Sequence, residues 1–333
     1  MKKVLLKLVS ILFVFICTLH FISCTSIPAE KGEFVVSSNG DIIYQQDYYK
    51  QILWENFGYD WLHLKSSSDN KVYTIESDIW IFWDDIHIHN DMLLYSYTKE
   101  YGDTNFLTLY DVNKKKKIKT FYFRDYPESN WDEINNNFYV EAEEGIIEYN
   151  NRGKKIRYII KYPSRFLPYE DRYDLYDARN NELLLGTKNK QTGNYTLYLL
   201  NTENMQMQSL YEIEKEHGIR NACLSNDLII WIKFKLGGND YCLESYDRKT
   251  GDIKTLYEAV SEHDIEDLTV INNYAFFKDD DDFRNDDDII QFNLLSGEKK
   301  NIGQGNYFTD GQYIWIEKKD SDGSSQIIKE EVY

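Results

Sequence analysis

The amino-acid sequence predicts an all-β protein built from one repeated unit of four short strands. Six doublets of Asn, Asp or Gly mark tight turns along the chain. A run rich in β-branched and aromatic residues, which is typical of a strand, follows each doublet. Successive doublets lie 44 or 46 residues apart, with a last interval of 38. The doublets are Asn90-Asp91, Asn136-Asn137, Asn180-Asn181, Asn226-Asp227, Asn272-Asn273 and Asp310-Gly311.

The strands of one unit can be followed in order. The run after the doublet, such as Leu228 to Trp231, is one strand, and the next strand ends in a signature such as Tyr246-Asp247. A turn at Thr250-Gly251 and a run from Ile253 to Tyr257 complete that unit. The even repetition disfavours a β-sandwich or several smaller domains.

This repeat resembles a blade of the β-propeller superfamily, in which four-stranded sheets surround a central axis. The resemblance covers residues 33–333 and implies a single propeller domain. It does not extend to a particular subfamily, because Tyr-Asp or Phe-Asn stands at the strand ends where the WD type has Trp-Asp.

The repeat count predicts seven four-stranded blades. Three strand-like runs between residues 51 and 76 precede the first doublet, and Asp41 to Gln46 would be the inner strand of that unit. Glu33 to Ser37 is left over, while the final unit, Asn306 to Tyr333, has three strands. We therefore expect the N-terminal strand to join the final blade and close the ring without a free edge. Six or eight blades are the alternatives.

Residues 1–23 resemble the signal peptide of a bacterial lipoprotein. Two lysines precede an apolar run from Leu5 to Ile22, and the small Ser23 stands directly before Cys24, as in a lipobox. The resemblance implies cleavage before Cys24 and attachment of acyl chains, palmitate among them, to its thiol and amine. An uncleaved membrane anchor and an ordinary secretory signal are the alternatives.

The lipoprotein resemblance also implies a location. Residues 24–32 would form a short tether, and the protein would be exported and anchored to the bacterial membrane through its acyl chains. In a bacterium that has an outer membrane and sorts lipoproteins as enteric bacteria do, Thr25 in place of Asp after the acylated cysteine favours the outer membrane or the cell surface.

The net charge of the chain limits the classes of partner that it can bind. The chain has 38 basic and 56 acidic side chains, and loss of residues 1–23 with their three lysines would change its net charge from −18 to −21. Nucleic acid is disfavoured, because phosphate binding needs a basic surface. Anionic lipid should repel the domain, so we expect the acyl chains to supply its membrane affinity. Strong charge also favours a monomer.

Cysteine usage excludes a scaffold of many disulfides. Four cysteines are present, of which Cys17 would leave with the signal peptide and Cys24 would be acylated. Cys223 and Cys242 remain, either bonded after export or as two buried free thiols.

The loops that join one blade to the next hold the candidate binding face, because functional residues of propellers usually lie there. The longest of these loops mixes aromatic and arginine side chains that suit a glycan or protein partner. Two histidines 46 residues apart should occupy matching positions on neighbouring blades. A packed surface insertion and shared ancestry of the repeats are the structural alternatives. The candidate residues are Tyr162, Arg165, Phe166, Tyr169, Arg172, His217 and His263.

An acidic loop in the sixth unit is the candidate metal site. Seven carboxylates repel one another unless a cation or a basic partner is bound, and calcium accepts several carboxylate oxygens. The spacing does not match an EF-hand, and a solvated loop without any cofactor is the alternative. The residues are Asp279, Asp280, Asp281, Asp282, Asp286, Asp287 and Asp288.

No nucleophile elbow, zinc-protease motif, phosphate loop or dinucleotide fingerprint occurs in the sequence. We therefore expect a lipid-anchored, non-catalytic propeller that binds an envelope protein or assembles with one. A glycan- or ester-cleaving enzyme, with or without a requirement for calcium, is one alternative. A module that binds a glycan or small ligand is the other.

Overall fold

A computed structural model describes residues 27–52, 55–99, 104–132, 135–163, 172–238, 240–260, 263–281, 287–309, 313–319 and 325–332. Within these ranges every helix or strand element is a β-strand, and the strands form six antiparallel sheets. The all-β class expected from the repeat is therefore confirmed. No helix of the described residues is long and apolar enough to cross a membrane. The predicted signal peptide and Cys24 lie outside the described residues.

The first sheet has seven strands in chain order. Its strands are β1 (Ile27–Val36), β2 (Ile42–Ile52), β3 (Glu55–Lys65), β4 (Val72–His89), β5 (Met92–Lys99), β6 (Asn105–Asp111) and β7 (Lys116–Phe123). The long β4 pairs with β3 up to Ile79 and with β5 from Ile79 onward. The two halves of this sheet therefore share one continuous strand.

Four further sheets have four strands each. The second contains β8 (Glu128–Asp132), β9 (Asn137–Ala142), β10 (Gly145–Asn150) and β11 (Lys155–Lys161). The third contains β12 (Asp174–Arg179), β13 (Glu182–Lys188), β14 (Tyr195–Asn201) and β15 (Met207–Ile213). The fourth contains β16 (His217–Leu224), β17 (Leu228–Lys235), β18 (Tyr241–Asp247) and β19 (Ile253–Glu258).

The fifth sheet contains β20 (His263–Ile271), β21 (Tyr274–Asp281), β22 (Asp288–Asn293) and β23 (Lys299–Gln304). The sixth has three strands, β24 (Tyr307–Thr309), β25 (Tyr313–Lys319) and β26 (Ser325–Glu331). The first strands of successive sheets contact one another, since β8 contacts β12, β12 contacts β16 and β16 contacts β20. The fifth and sixth sheets are in contact through β23 and β25.

The turn residues found in the sequence bend the chain as expected. Asn90, Asn136, Asn180 and Asn272 all have positive φ, between 47° and 56°. Asparagine tolerates this left-handed backbone better than most residues, which is why it recurs at the tight turns between consecutive strands.

The core lies between the faces of neighbouring sheets. One cluster combines Leu107 and Phe121 of the first sheet with Phe138 and Val140 of the second. A comparable cluster joins Leu184 of the third sheet to residues of the fourth. Phe308 of the sixth sheet packs against the core of the first, and β24 contacts β1. The sheets therefore form a closed ring.

Two expectations about the first unit are wrong. Asp41 to Gln46 lies almost wholly in β2, the second strand of its sheet, and the leftover segment Glu33 to Ser37 falls mostly in β1. β1 pairs with β2 instead of joining the sixth sheet. A short turn explains this, because the Ser37 N–H donates to Asp41 O (2.9 Å) and closes a local hairpin. Pairing with a distant strand requires a far longer loop to close.

The expected set of seven separate four-stranded sheets is also not found. Five sheets have three or four strands, and the first has seven. The first sheet has seven strands because the 18 residues of β4 stay extended, so that β4 pairs with β3 along its first part and with β5 along its second part. Cys223 and Cys242 are free thiols, which leaves the ring without a disulfide between them.

We expect Gly145→Ala to destabilise the ring strongly. Gly145 has a φ of +130°, and a Cβ at this position would lie 2.0 Å from the carbonyl oxygen of Ile160. The contact is with backbone that is paired in β11, so relief requires the sheet itself to shift. The free energy of unfolding, measured by urea denaturation, should fall by about 3 kcal/mol or more.

Gly237→Ala is the matched control for that substitution. Gly237 also has positive φ, at +78°, but no atom lies within 4 Å of an added Cβ. Backbone strain alone should then lower the free energy of unfolding by about 1 kcal/mol. Equal losses in the two variants would contradict the close approach at Gly145.

Candidate functional site

A group of carboxyl, arginine and tyrosine side chains lies where the second and third sheets meet. Glu128 is the first residue of β8 and pairs directly with Glu141 near the end of β9. Asp174 is the first residue of the neighbouring β12. The Leu175 N–H donates to Glu128 Oε2 at 3.2 Å, so the two first strands are joined at this end. We call these residues, with Arg172, Tyr162, Tyr176 and Tyr195, the Glu141 cluster.

Glu141 is the most perturbed acid of the cluster. Its side chain is fully buried, and burial, with the nearby Glu128 and Asp174 carboxylates adding to it, raises the pKa of Glu141 to about 9. The Tyr162 hydroxyl donates to Glu141 Oε1 at 3.3 Å, and the other carboxyl oxygen has no hydrogen-bond partner among the described residues. Glu141 therefore holds a proton at neutral pH.

Arg172, predicted as part of the binding face, is buried beside this group. Its Nη2 donates to Asp125 Oδ2 at 2.6 Å, and Arg124 Nε donates to the other oxygen at 3.1 Å. The hydrogen bond from Arg124 lowers the pKa of Asp125, burial opposes it, and Arg172 adds to the lowering. Arg172 thus holds a loop between two sheets in place and does not extend outward.

The tyrosines complete the cluster. The Tyr195 hydroxyl donates to Asp174 Oδ2, and the hydroxyls of Tyr176 and Tyr195 lie 2.8 Å apart. Gly186 makes room for this contact, because a Cβ there would lie 2.1 Å from the Tyr195 hydroxyl oxygen. Burial raises the pKa of both tyrosines, so both remain neutral donors.

A second group forms at the same end of the fifth sheet. His263 Nδ1 lies 3.0 Å from Asp279 Oδ1, and the Tyr257 hydroxyl donates to Asp279 Oδ2. Lys299 Nζ donates to the Tyr257 hydroxyl at 2.7 Å. Burial tends to raise the pKa of Asp279, but the hydrogen bonds from Tyr257 and His263 outweigh it and lower the pKa below its usual value.

The two predicted histidines occupy matching positions, each as the first residue of its strand in β16 and β20. His217 is half-buried, and its backbone N–H donates to Glu214 O at 2.9 Å. His263 contacts a carboxylate, as described above.

The acidic loop is partly engaged within the protein. Asp279 is buried in the contacts above, and Asp288 Oδ1 accepts a hydrogen bond from Gln304 Nε2 at 2.9 Å. Asp287 accepts the Gly305 N–H through its backbone carbonyl at 2.9 Å. No group of three or more potential metal ligands occurs among the described residues. Calcium binding stays a prediction.

Other predicted site residues fall where the structure gives no description. Arg165, Phe166 and Tyr169 lie outside the described residues, as do Asp282 and Asp286. The backbone of Asp280 and Asp281 belongs to β21, but their side chains are not described.

No protein-family model matches the chain, and no curated protein matches it. The β-propeller domain of the Trilobed protease from Pyrococcus furiosus matches with a TM-score of 0.64 and 10% sequence identity, over 91% of this chain and 95% of that one. The chain is a β-propeller. The second to sixth sheets, of three or four strands each, are therefore blades, and the resemblance expected from the repeat is confirmed for the fold.

Two further matches show the same propeller architecture. One of two prolyl endopeptidases matches with a TM-score of 0.60 and 10% identity over 90% of this chain, which spans 49% of that protein's length. An oligogalacturonate lyase in complex with manganese matches with a TM-score of 0.56 and 9% identity, over 93% of this chain and 98% of that one. At such identities the similarity shows the fold alone.

Sequence reasoning missed most of the Glu141 cluster. It placed Tyr162 and Arg172 on the correct loop, but it did not connect them with Glu128, Glu141 or Asp174. A signal was available, because Glu141 interrupts the apolar run of β9, where a charge is expensive to bury. Asp174, which adds to the electrostatic environment of Glu141, belongs to the next sheet, and its proximity cannot be read from the spacing.

The chemistry available at the Glu141 cluster is that of a protonated carboxyl beside ionised ones. Such a pair has the ingredients of general acid catalysis. Glu141 is fully buried, however, and its neighbours bond to the backbone of the next blade. In this structure the cluster joins two blades of the propeller through polar contacts.

We expect Glu141→Gln to change how the stability of the propeller depends on pH. The pKa of Glu141 rises from its ordinary value of 4.5 to about 9 on folding. Between these values the folded state keeps a proton that the unfolded state has lost, so rising pH destabilises the wild type. Relative to wild type, the variant should gain up to about 1.4 kcal/mol in unfolding free energy per pH unit.

Urea denaturation at several values between about pH 6 and pH 8 measures this difference. Glu298→Gln, an exposed glutamate in the fifth blade, is the control and should track the wild type. A Glu141→Gln difference that does not vary with pH would contradict a protonated Glu141.

Proposed function

We propose that this protein is a lipid-anchored, non-catalytic propeller that binds an envelope protein through the face where its blades are joined. The main support is an exposed aromatic surface at that face on the first sheet, at the end where β5 finishes and β6 begins. The lipoprotein resemblance of residues 1–23 supports the anchor. The experiments below address the two parts separately.

A ring of seven blades is part of this proposal. The seven-stranded sheet counts as two blades that share β4, since Leu62 and Leu64 of one half pack with Leu93 and Tyr95 of the other in one core. Two halves of a sheet can pack on each other in this way when the shared strand bends. A register shift between Phe82 and Ile86 of β4 supports such a bend.

The aromatic surface is a ladder across three strands. Tyr97 and Phe106 stack with ring centroids 5.0 Å apart, and Phe106 meets Tyr122 edge to face at 5.3 Å. Tyr97 is buried, whereas Tyr122 is 69% exposed. Trp80, 41% exposed, lies at the same end of the sheet. The ladder therefore presents rigid aromatic side chains to solvent.

This aromatic surface is well suited to binding a protein. Tyrosine and tryptophan are enriched among the residues that dominate binding energy in protein interfaces, because they bury a large area with little loss of side-chain freedom. Tyr122 is already held by Phe106, so little ordering is needed on binding.

The burial of the Glu141 cluster also favours binding over catalysis. A general acid must reach its substrate, whereas Glu141 has no exposed surface. The paired carboxylates of Asp125 and Asp279 are likewise engaged by neighbouring side chains.

A glycan-cleaving enzyme is the second candidate function. The raised pKa of Glu141 beside Glu128 and Asp174 favours it, since glycoside hydrolysis uses a protonated acid and an ionised partner. This candidate requires an opening of the blade junction that exposes Glu141. Loss of glycan cleavage in Glu141→Gln, with unchanged stability at low pH, would support it.

If the protein is a lipoprotein, its acylation requires Cys24. In the native host, labelling with a palmitate analogue should mark the wild type and not Cys24→Ala, because the acylated thiol is gone. Cys17→Ala, within the signal peptide, is the control and should be labelled like the wild type. Equal labelling of Cys24→Ala would refute the anchor and leave the binding proposal standing.

We expect a photo-cross-linking amino acid at position 122 to capture a discrete envelope protein in the native host. The same group at Leu295, an exposed residue of the fifth blade, is the control for non-specific capture. Tyr122→Ser should keep the stability of the wild type, since the side chain is exposed, but should lose co-purification of the captured protein. Identical adducts from both positions would contradict a partner at the aromatic ladder.

A further inference from the structure

Ten of the 38 basic side chains of this acidic protein lie on two outer strands and in the turns that precede these strands. Residues 112–123, which include β7, contain five basic and no acidic side chains, and residues 149–161, which include β11, contain five more and again no acid. We call this set the basic rim. Its members are Lys114, Lys115, Lys116, Lys117, Lys119, Arg152, Lys154, Lys155, Arg157 and Lys161.

The two halves of the basic rim are in contact. Lys119 Nζ on β7 donates to the carbonyl oxygen of Gly153, in the turn that leads into β11, at 2.6 Å. The same blades share a core that includes Phe121 of β7 and Tyr149 of β10, whose rings lie 4.8 Å apart. The ten basic residues therefore belong to one continuous stretch of the propeller's outer surface.

Within the described residues, three of these ten basic side chains form a salt bridge with an acidic side chain. Lys114 pairs with Asp111, Lys117 with Glu76 and Arg157 with Glu148. In the part of the chain that the structure describes, none of the remaining seven forms a salt bridge with an acidic side chain. Among these seven, Lys116, Arg152 and Lys154 are exposed.

Aliphatic side chains lie exposed among these charges. Ile118 is 39% exposed and Ile156 is 49% exposed. Each lies at a register shift of its strand, where one residue has no partner on the adjacent strand. Such a bulge turns its side chain out of the regular alternation. The basic rim thus combines cationic groups with outward aliphatic ones.

Protection of a free sheet edge does not explain this concentration. Lysines on edge strands prevent pairing between molecules, but a few charges suffice. The outer strand of the third sheet, β15, has no lysine or arginine, and β19 of the fourth has one lysine. These edges are tolerated in the same molecule, so the ten cations of the basic rim exceed that need.

We propose that the basic rim binds the surface of an anionic phospholipid bilayer. Lysine and arginine are attracted to anionic headgroups, and short aliphatic side chains enter the boundary between headgroups and acyl chains. The net negative charge of the whole chain led us to expect repulsion. Screening limits electrostatic forces to about 8 Å at physiological salt, so a bilayer at the rim experiences the local cations.

This inference goes beyond the protein-binding proposal and does not depend on it. The aromatic ladder lies at the end of the blades where one blade leads into the next, whereas the turns before β7 and β11 lie at the other end. Tyr122 itself belongs to β7, so it is contact through these turns, which carry Lys114, Lys115, Arg152 and Lys154, that would keep the exposed end of the aromatic ladder free for a partner.

Lysine footprinting on vesicles tests the inference. The full protein as isolated from its host is mixed with vesicles that contain phosphatidylglycerol or with vesicles of phosphatidylcholine alone. Exposed lysines are then acetylated briefly and quantified by mass spectrometry. With phosphatidylglycerol, the acetylation rates of Lys114, Lys115, Lys116 and Lys154 should fall by a factor of about three or more. The acetylation rates of Lys188, Lys254 and Lys300 should not change.

Matched triple variants identify the cause of any protection. Lys116→Gln, Arg152→Gln and Lys154→Gln together should abolish the protection of Lys114 and Lys115. Lys188→Gln, Lys254→Gln and Lys300→Gln, which remove the same charge from exposed sites on other blades, should leave it intact. Salt at 1 M should also remove it, since screening then acts within about 3 Å.

Three outcomes would overturn the inference. These are uniform labelling with both kinds of vesicle, protection spread evenly over all lysines, and protection by soluble polyaspartate but not by phosphatidylglycerol vesicles. The last outcome would assign the basic rim to an acidic protein instead. The readout is the position of the protected lysines, so failure of the Cys24 anchor or of the aromatic ladder would not produce these results.

Discussion

Carboxylates that accept backbone N–H groups from the next blade are the contacts on which much of this structure depends. Asp132 accepts the Asn181 N–H at 2.9 Å, and Asp177 accepts the Leu224 N–H at 2.7 Å. Glu128 does the same for Leu175. Each bond satisfies a buried donor at a junction where two separate sheets meet and no strand ladder is available. The ring is therefore joined by polar bonds at its inner strands and by apolar packing farther out.

This arrangement also accounts for the unusual acid of the candidate site. Several carboxyl groups gather where the second and third blades meet, and they cannot all be ionised in a buried volume. Glu141, which has the least access to water, keeps its proton, while Asp125 stays ionised beside two arginines. A cluster that resembles catalytic machinery can thus arise from the demands of joining blades.

The outer surface of the propeller does not take part in joining the blades, and it carries two further features. An aromatic ladder ends in the exposed Tyr122, and ten cations lie on two neighbouring outer strands. Tyr122 lies near the end of β7, whereas the turns that carry Lys114, Lys115, Arg152 and Lys154 lie before the start of β7 and of β11, at the opposite end of these strands. The propeller could then contact a bilayer and a protein at the same time, which is the arrangement that a tethered scaffold needs.

The sequence by itself determined the local parts of this protein. Asparagine turns and apolar runs repeat along the chain, and they predict the strands and the propeller because hairpins depend on nearby residues. Only the tertiary structure decided that β4 continues through the first two units, that β1 pairs with β2, and that Glu141 meets Asp174. These outcomes depend on contacts between segments that are distant in sequence or that compete for one edge. Net charge is likewise a sum over the chain, whereas the position of the ten cations of the basic rim on neighbouring sheets depends on the fold.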